Sequence, residues 1–300
     1  MRTLRLVAAA LVIVLLVSWL SVVLYPSVKD FMEANPGWNG LSDFLGEFGA
    51  ELVTGVDQAE LRPEGSVLIA IPYLPYDEGE LRRIERFVHD GGTLLLMDDY
   101  GYGNQVLQAL GLQMQFAGLP MLDPYVTYRN QWFPLVTDLA PSLGQPRMQY
   151  AMLNYATALI VLGPYDILAS SSPTSFLDNN GDADWNRAEP RGPFVVAARA
   201  TLGSGMVIAV SDPSLIINSM VNRADNKAFL QQLISLAGEN PYVVVDDSHL
   251  PQAPLDILKY SWQGVRARVA VPYSQVLLVG IILVLTLMPV WRKGNEVGPR

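Results

Sequence analysis

Two long apolar runs, one near each end of the 300-residue chain, constrain its architecture more than any other feature. The first, residues 6–24, contains no charged residue, and a helix that crosses a bilayer needs about 20 such residues. The second, residues 276–290, is followed by Trp291, Arg292 and Lys293. Aromatic and then basic residues are typical of the cytoplasmic end of a membrane span. The sequence therefore predicts a two-pass membrane protein.

The basic residues beside the two runs predict the topology. Arg2 and Arg5 precede the first run, which places the N-terminus in the cytoplasm with the C-terminal tail. A cleaved signal peptide is the alternative, but its apolar region is about 7–15 residues and ends at a small-residue site, whereas this run is longer and ends in Tyr25-Pro26. The expected segments are an anchor (1–25), an extracytoplasmic domain (26–250) with an irregular insertion (about 113–192), a linker (251–272), a second membrane helix (273–291) and a cytoplasmic tail (292–300).

Composition excludes several classes of protein. The chain has no cysteine, so it has no disulfide, cysteine-ligated metal or cysteine nucleophile. Its net charge of −9 argues against a nucleic-acid-binding surface. Five basic residues and one acidic residue lie in the terminal segments, which leaves 15 basic and 28 acidic residues in the middle, or −13. Such a domain attracts cations, although acidic residues also serve solubility alone.

The middle of the chain has the pattern of an α/β domain. Continuous apolar runs predict buried strands, and apolar residues at helical spacing predict the helices between them. This alternation predicts a parallel sheet covered by helices on both faces, a three-layer flavodoxin-like architecture. The predicted strands are 67–71, 93–97, 194–200, 206–210 and 242–245, with helices at 39–48, 78–90, 104–110 and 226–237, the last capped by Asp225. Glycines at 203 and 205 predict a hairpin between the third and fourth strands.

Several motifs then resemble a known family. Gly91-Gly92-Thr93-Leu94-Leu95-Leu96, followed by Asn104-x-x-Leu107-x-x-Leu110-Gly111-Leu112, resembles class I glutamine-amidotransferase-like domains. With Ser211-Asp212-Pro213-Ser214, Asp225-Asn226-x-x-Phe229 and Asp246-Asp247-Ser248-His249 in that order, the chain resembles more closely the membrane-anchored family called domain of unknown function 4350, over roughly residues 36–250. The resemblance implies a glutamine-amidotransferase-like fold.

The resembling enzymes carry a nucleophilic cysteine in the turn after the central strand. Here that turn reads Asp98-Asp99-Tyr100-Gly101-Tyr102-Gly103, so amidotransferase chemistry is not expected. The resemblance implies instead a non-enzymatic binding or assembly domain in a membrane system with a MoxR-type AAA ATPase and a von Willebrand A-like protein. A ligand-sensing subunit of an ABC-type export system is an alternative. A metal-assisted hydrolase is another, with Asp98, Asp99, Asp212, Asp246 and His249 as its site.

Polar residues at or near the predicted strand ends are the candidate ligand-binding groups. Open α/β sheets bind ligands beyond the carboxyl ends of their strands, and paired carboxylates bind cations or hydroxyl groups. Structural hydrogen bonding in polar loops is the alternative. The candidates are Asp98, Asp99, Asn104, Asp212, Asn218, Asp246, Asp247 and His249.

An acidic segment within the insertion has the spacing of a calcium loop. Oxygen-bearing side chains alternate along it, and a glutamate follows at the twelfth position, as in an EF-hand. Position six is Ala183 rather than glycine, and the flanks are not helical, so the prediction is a calcium loop outside an EF-hand. A solvated acidic turn is the alternative. The predicted ligands are Asp178, Asn180, Asp182, Asp184 and Glu189.

Overall fold

The computed structural model describes residues 2–24, 28–55, 62–143 and 148–251. The chain divides into two units, one of residues 26–251 and the other of residues 1–25 with 252–300. The second apolar run, the tail and all but the first residue of the predicted linker lie outside the described residues.

The first apolar run forms a helix, α1 (Arg2–Leu24). Its described side chains, at position 7 and positions 10–20, are all exposed. A search of the described residues finds no helix with the length and apolar character that a membrane crossing requires.

The domain at residues 26–251 is built on one large mixed sheet. In chain order its strands are β1 (Glu51–Val53), β2 (Ser66–Ala70), β3 (Thr93–Met97), β4 (Met114–Phe116), β5 (Met121–Leu122), β6 (Leu135–Val136), β7 (Asp138–Leu139), β8 (Ala151–Met152), β9 (Leu159–Val161), β10 (Asp166–Ser170), β11 (Phe176–Leu177), β12 (Val195–Leu202), β13 (Gly205–Val210) and β14 (Tyr242–Asp246). The order in the large sheet is β1-β14-β2-β3-β13-β12-β10-β7, and β9 joins β4 to β12. Within the described residues, β5 with β11 and β6 with β8 form separate two-stranded sheets.

The first five strands of this order are parallel, as the sequence predicts. The remaining pairs, beginning with the β12–β13 hairpin, are antiparallel. The predicted hairpin is thus confirmed, and the predicted parallel sheet extends over the first five strands but not over the second half. The predicted insertion supplies the other antiparallel strands, in pieces of two to five residues that carry little hydrophobic pattern.

Helices cover both faces of the sheet. Their bounds are α2 (Ser42–Phe48), α3 (Glu78–His89), α4 (Gly103–Ala109), α5 (Asn218–Val221) and α6 (Asn226–Ser235). Alternate residues of the parallel strands point to opposite faces, so Ile69 packs in the core beneath α2, α5 and α6, and Leu68 packs in the core beneath α3 and α4. The three-layer arrangement confirms the fold class at the level of a mixed α/β domain.

Two details differ from the sequence prediction. The helix after Asn39 begins at Ser42, because Asn39 is held in a turn in which its Oδ1 accepts a 2.8 Å hydrogen bond from Asn35 Nδ2. Asp225 precedes α6 without a side-chain capping bond. Its Oδ2 accepts hydrogen bonds from the backbone N–H groups of Gln149 (2.7 Å) and Tyr150 (3.2 Å), so it ties the insertion to this helix.

The glycine turn between β12 and β13 makes a stability prediction. A Cβ atom on Gly205 would lie 2.2 Å from the carbonyl oxygen of Gly92 and 2.3 Å from that of Val88. Overpacking of this kind costs about 1–3 kcal/mol, so we expect Gly205→Ala to lower the free energy of unfolding by that amount in urea titrations. Gly46→Ala on the open face of α2 is the control, since its Cβ meets nothing within 4 Å. It should not destabilise the domain.

Candidate functional site

The carboxyl ends of β3 and β13 meet where the chain connections diverge. Met97 pairs with Val210, so Asp99 and Asp212 leave neighbouring strands at the same edge. After β3 the chain enters α4 on one face, and after β13 it enters α5 and α6 on the other. Such a topological switch point leaves a crevice between the two connections and is the usual ligand site of open α/β sheets.

Asp98 fixes the turn that leads out of β3. It is buried and accepts hydrogen bonds from the backbone N–H groups of Asp99 (2.9 Å), Gly101 (2.8 Å) and Gly103 (2.7 Å). A Cβ on Gly101 would lie 2.4 Å from the Pro72 carbonyl oxygen, and one on Gly103 would lie 2.6 Å from Asp98 Oδ2. The glycines of this turn therefore allow the backbone to close around a carboxylate.

Asp99 and Asp212 hold their protons unusually strongly. Burial raises the pKa of Asp212 to about 8, helped by the charge of Asp99 and opposed by amide hydrogen bonds from Asn154 and Ser214. Burial also raises the pKa of Asp99 to about 6, although the Tyr100 amide lowers it and the charge of Asp98 raises it. Within the described residues neither carboxyl forms an ion pair. The two groups are therefore acidic neighbours without a basic partner.

Aromatic residues flank these two aspartates. Burial and then the charges of Asp99 and Asp212 raise the pKa of the Tyr100 hydroxyl, which donates a 2.9 Å hydrogen bond to the Tyr155 carbonyl. The Tyr155 ring stacks on Trp132 at 4.6 Å between centroids. On the other side, burial and then a group of acidic charges led by Asp99 raise the pKa of Tyr73. We call the site formed by Asp99, Asp212, Tyr73, Tyr100 and Tyr155 the crevice.

One further polar atom at this strand end is unusual. Ser211 is fully buried, and its Oγ is, among the described residues, the one buried side-chain polar atom without a hydrogen-bond partner. An unsatisfied buried group costs about 1–3 kcal/mol, and such groups are few in native structures.

A second cluster forms where β14 ends. His249 Nδ1 lies 2.7 Å from Asp246 Oδ2, and His249 Nε2 lies 3.4 Å from Glu80 Oε2 on α3. The Tyr76 hydroxyl donates a 2.9 Å hydrogen bond to Asp246 Oδ2, and the Tyr76 ring stacks on the imidazole at 3.6 Å. Ser248 Oγ donates to Asp246 Oδ1 at 2.5 Å. Asp246, His249, Tyr76 and Glu80 are the His249 cluster.

The other predicted strand-end residues have structural contacts. Asn104 exchanges hydrogen bonds with the backbone of Phe116, at 2.7 and 3.0 Å. Asn218 accepts from the Asp43 amide (2.9 Å) and donates to the Gly37 carbonyl (2.8 Å). Asp247 is half-buried beside the β1 turn, where burial raises its pKa and a hydrogen bond with Thr54 lowers it.

The strand-end groups divide into two sites instead of forming one. Asp98, Asp99 and Asp212 lie around the β3–β13 junction, whereas Asp246 and His249 bond to each other and to Tyr76 and Glu80. In the part of the chain that the structure describes, the acidic and histidine side chains that converge as metal ligands belong to the acidic loop of the insertion. The set predicted for a metal-assisted hydrolase is therefore not assembled in this structure.

The acidic loop brings three of its five predicted ligands together. Ligand oxygens of Asp178, Asp182 and Glu189 lie within 4.8 Å of one another. Asp178 is buried and accepts from the Gly181 (2.7 Å) and Ala183 (3.0 Å) amides. Ala183 has a φ of 60°, the left-handed conformation that favours glycine at this position of a calcium loop.

The remaining predicted ligands of this loop lie outside the converging group. Asn180 donates a 2.8 Å hydrogen bond to Asp182, and Asp184 is exposed. The amides of Asn179 and Asn186 donate to the two Glu189 oxygens, at 3.2 and 3.0 Å. The loop is thus closed by its own carboxylates, and calcium binding stays a prediction.

Sequence reasoning missed several residues of these sites. Glu80 had a local signal, because Asp77 and Glu80 form a capping box at the start of α3. The aromatic residues Tyr73, Tyr76 and Tyr155 had none, since tertiary packing alone brings them to the strand ends. Asp123 is a further buried carboxylate, which accepts from the Tyr125 and Val126 amides and from Thr174 Oγ1 inside the insertion.

The described surface also contains two cavities away from these clusters. One, of about 840 Å³, lies at the amino end of β14 between α2 and α6. The other, of about 510 Å³, runs along α3 beside Arg82, Arg83 and Arg86.

Comparison with known proteins identifies the family of the domain. The family described as "Domain of unknown function (DUF4350)" matches residues 33–234, which include the β3 and β13 ends and, of the His249 cluster, Tyr76 and Glu80 but not Asp246 and His249. A search of the curated proteins finds no match.

The solved structures that are similar to the chain are distant. The domain titled "mmIFT52 N-terminal domain" is 14% identical with a TM-score of 0.45, and the match covers 58% of this chain and 78% of that one. A β-galactosidase from Bacillus circulans sp. alkalophilus is 14% identical with a TM-score of 0.35, over 56% of this chain and 22% of the other. Cytoplasmic Protein STM1381 from Salmonella typhimurium LT2 is 16% identical with a TM-score of 0.36, over 53% of this chain and 60% of the other.

The acidic loop makes a prediction about metal binding. If it is a calcium loop, about 1 mM Ca²⁺ should raise the melting temperature, because a cation would offset the repulsion among three converging carboxylates. Asp182→Asn should abolish this rise, and Asp184→Asn, outside the converging group, should retain it. An equal rise in both variants, or none in the wild type, would contradict the prediction.

Proposed function

The chain belongs to the DUF4350 family, and we propose that residues 26–251 form a non-catalytic binding domain that holds a positively charged group of its ligand in the crevice. The observation that carries this proposal is that Asp99 acts on Asp212 through its charge at the topological switch point, and that neither carboxyl forms an ion pair in the part of the chain that the structure describes.

The charge around the crevice favours a cation. The charged groups that act on Tyr73 are Asp99, Asp30, Asp98 and Asp212, all of them acidic. A bound cation would lower the cost of ionising Asp99 and Asp212, whereas an anion would raise it. The same argument disfavours nucleotides and other phosphates.

The aromatic walls favour an organic cation over a metal ion. The residues Tyr73, Tyr100 and Tyr155 are each more than one-third exposed, and accessible aromatic faces attract ammonium and guanidinium groups. A divalent metal ion instead needs several oxygen ligands at short distance, and such a group is found in the described residues at the acidic loop alone. A lysine or arginine side chain of a partner protein fits this chemistry.

A binding role also fits the chemistry of the β3 turn better than an enzymatic one. Asp98 occupies the start of the turn that carries the nucleophile in amidotransferases, and backbone amides saturate its carboxylate. Asp246 and His249 are bonded to each other in the second cluster. The hydrolase alternative would need these groups in one pocket.

We propose that the domain is anchored to the membrane by both apolar runs and lies outside the cytoplasm. Support comes from the absence of charge between residues 6 and 24, from the exposed apolar side chains described on α1, and from the basic residues that flank each run. The partners implied by the family resemblance, a MoxR-type AAA ATPase system or an ABC-type exporter, are accordingly proposed as membrane-associated ones. Their co-purification from native membranes tests that proposal.

The crevice proposal predicts selective binding of a small organic cation. Choline should shift the NMR signals of crevice residues or quench the fluorescence near Trp132, and its uncharged isostere 3,3-dimethylbutan-1-ol should not. Asp99→Asn should weaken choline binding about fivefold, as for loss of a partly exposed ion pair. Asp138→Asn on exposed β7 is the matched control. Equal binding of the two probes would overturn the proposal.

The same proposal predicts a pH dependence below neutrality. The pKa of Asp99 is about 6, so choline affinity should rise as the pH rises through about 6 and Asp99 becomes charged. Asp99→Asn should bind choline with an affinity that does not change in this range. A wild-type affinity that is flat or falls there would rule out Asp99 as the binding group.

The topology proposal predicts protease sensitivity from outside the cell. Protease added to spheroplasts should degrade the domain at residues 26–251, and a cytoplasmic tag after residue 300 should stay protected until the membrane is permeabilised. Protection of the domain in sealed spheroplasts would contradict the extracytoplasmic location.

A further inference from the structure

We propose that the His249 cluster is a proton-dependent latch that fixes the position of the loop carrying Tyr73 and thereby regulates the crevice. The loop is residues 71–76, between β2 and α3. The regulatory part of this inference rests on the proposed binding function of the crevice, whereas the latch itself does not.

The side-chain half of the latch joins three elements of the domain. Asp246 ends β14, Glu80 lies in the first turn of α3, and Tyr76 lies in the loop before it. His249 contacts all three, through Nδ1 at 2.7 Å to Asp246, through Nε2 at 3.4 Å to Glu80, and by ring stacking on Tyr76. A protonated imidazole donates from both nitrogens and satisfies both carboxylates, whereas a neutral one donates from a single nitrogen.

The backbone half of the latch reaches the crevice. The carbonyl oxygen of His249 accepts hydrogen bonds from the amides of Tyr73 (3.0 Å) and Leu74 (3.2 Å). Tyr73 forms one wall of the crevice, and its ring also contacts Phe31 at 5.6 Å between centroids. The residue whose side chain senses the proton is therefore the residue whose backbone holds the crevice wall.

The latch also has a defined place in the chain. Leu250 is buried directly after it, and the unit that contains the domain ends at residue 251. A change in the contacts of His249 therefore occurs two residues before the end of the domain, and the predicted linker and second membrane span follow in the sequence.

The charged and titratable groups around His249 give the direction of the pH effect. Burial alone lowers the pKa of His249, but the hydrogen bond and charge of Asp246, and then the charge of Glu80, together raise it above 6.5. The Tyr76 hydroxyl, which faces Asp246, stays protonated because burial and the Asp246 charge raise its pKa. Asp247, the next acidic residue, faces Thr54.

The latch should therefore be closed below the pKa of His249 and loosen above it. Because folding raises this pKa, the contribution of His249 to stability is fully present below about pH 6.5, the unfolded value, and is lost as pH rises through the higher folded value. The pKa of Asp246 is lowered, chiefly by His249 and Ser248 against the effect of burial. The contribution of Asp246 to stability is therefore lost in the opposite direction, as the pH falls through the pKa of Asp246 in the folded protein.

Hydrogen–deuterium exchange on the full-length protein in nanodiscs tests the latch without any ligand. The intrinsic exchange rates of the Tyr73 and Leu74 amides at each pH are divided by the observed rates to give protection factors. These protection factors should fall roughly tenfold between pH 6 and pH 8.5, the effect of losing a hydrogen bond to a charged group. His249→Gln should show the low protection at both pH values. The chain has one other histidine, His89, which is exposed at the end of α3, and His89→Gln should behave as the wild type.

A second variant keeps the test decisive if His249→Gln fails to fold. Glu80→Gln retains an acceptor for the α3 capping box and removes one charge beside the imidazole, so the midpoint of the protection change should move to lower pH. Protection of Tyr73 and Leu74 that does not depend on pH, or a midpoint that Glu80→Gln leaves in place, would overturn the latch. Failure of choline to bind would leave these exchange results unchanged and would remove the crevice proposal alone.

Discussion

Buried carboxylates at the ends of parallel strands are the interaction on which the rest of this domain depends. Asp98, Asp212 and Asp246 each follow or end a central strand, and each accepts amide hydrogen bonds from a neighbouring turn. A buried carboxyl group is tolerated only when its oxygens are hydrogen-bonded, so each aspartate dictates the path of the chain after its strand. The same three residues concentrate carboxyl groups at one edge of the sheet, and both clusters are built around them.

The regular part of this fold could be predicted from the sequence because it depends on local pattern. The strand 93–97 and the helix that begins at Glu78 match the prediction, since both combine continuous or periodic apolar residues with clear end signals. β1 and most strands of the insertion could not be predicted, because pieces of two to five residues with little hydrophobic pattern are defined by their pairing partners. The antiparallel half of the sheet depends on such partners everywhere except in the β12–β13 hairpin, which its glycine turn and apolar runs predict.

The candidate site could be predicted only to the level of which strand ends carry it. The aspartates and His249 were visible as polar groups after apolar runs. The sequence did not show that these residues divide into two clusters, because the division depends on the paths of the loops over the strand ends. Tyr76 and Glu80 complete the His249 cluster from about 170 residues earlier in the chain, a separation that no spacing rule covers.

The antiparallel insertion has a consequence for how this domain can vary. The amide of Asn154 satisfies Asp212 at 2.7 Å, the amide of Thr157 donates to the Ser211 carbonyl at 3.0 Å, and Tyr155 between them forms a wall of the crevice. Excising the insertion would therefore leave a buried carboxylate short of a donor, so the segment and the sheet must fold cooperatively. The side chain at position 155 is about half exposed between two fixed backbone anchors, so its replacement would change the surface of the crevice while the anchors that hold the scaffold stay in place.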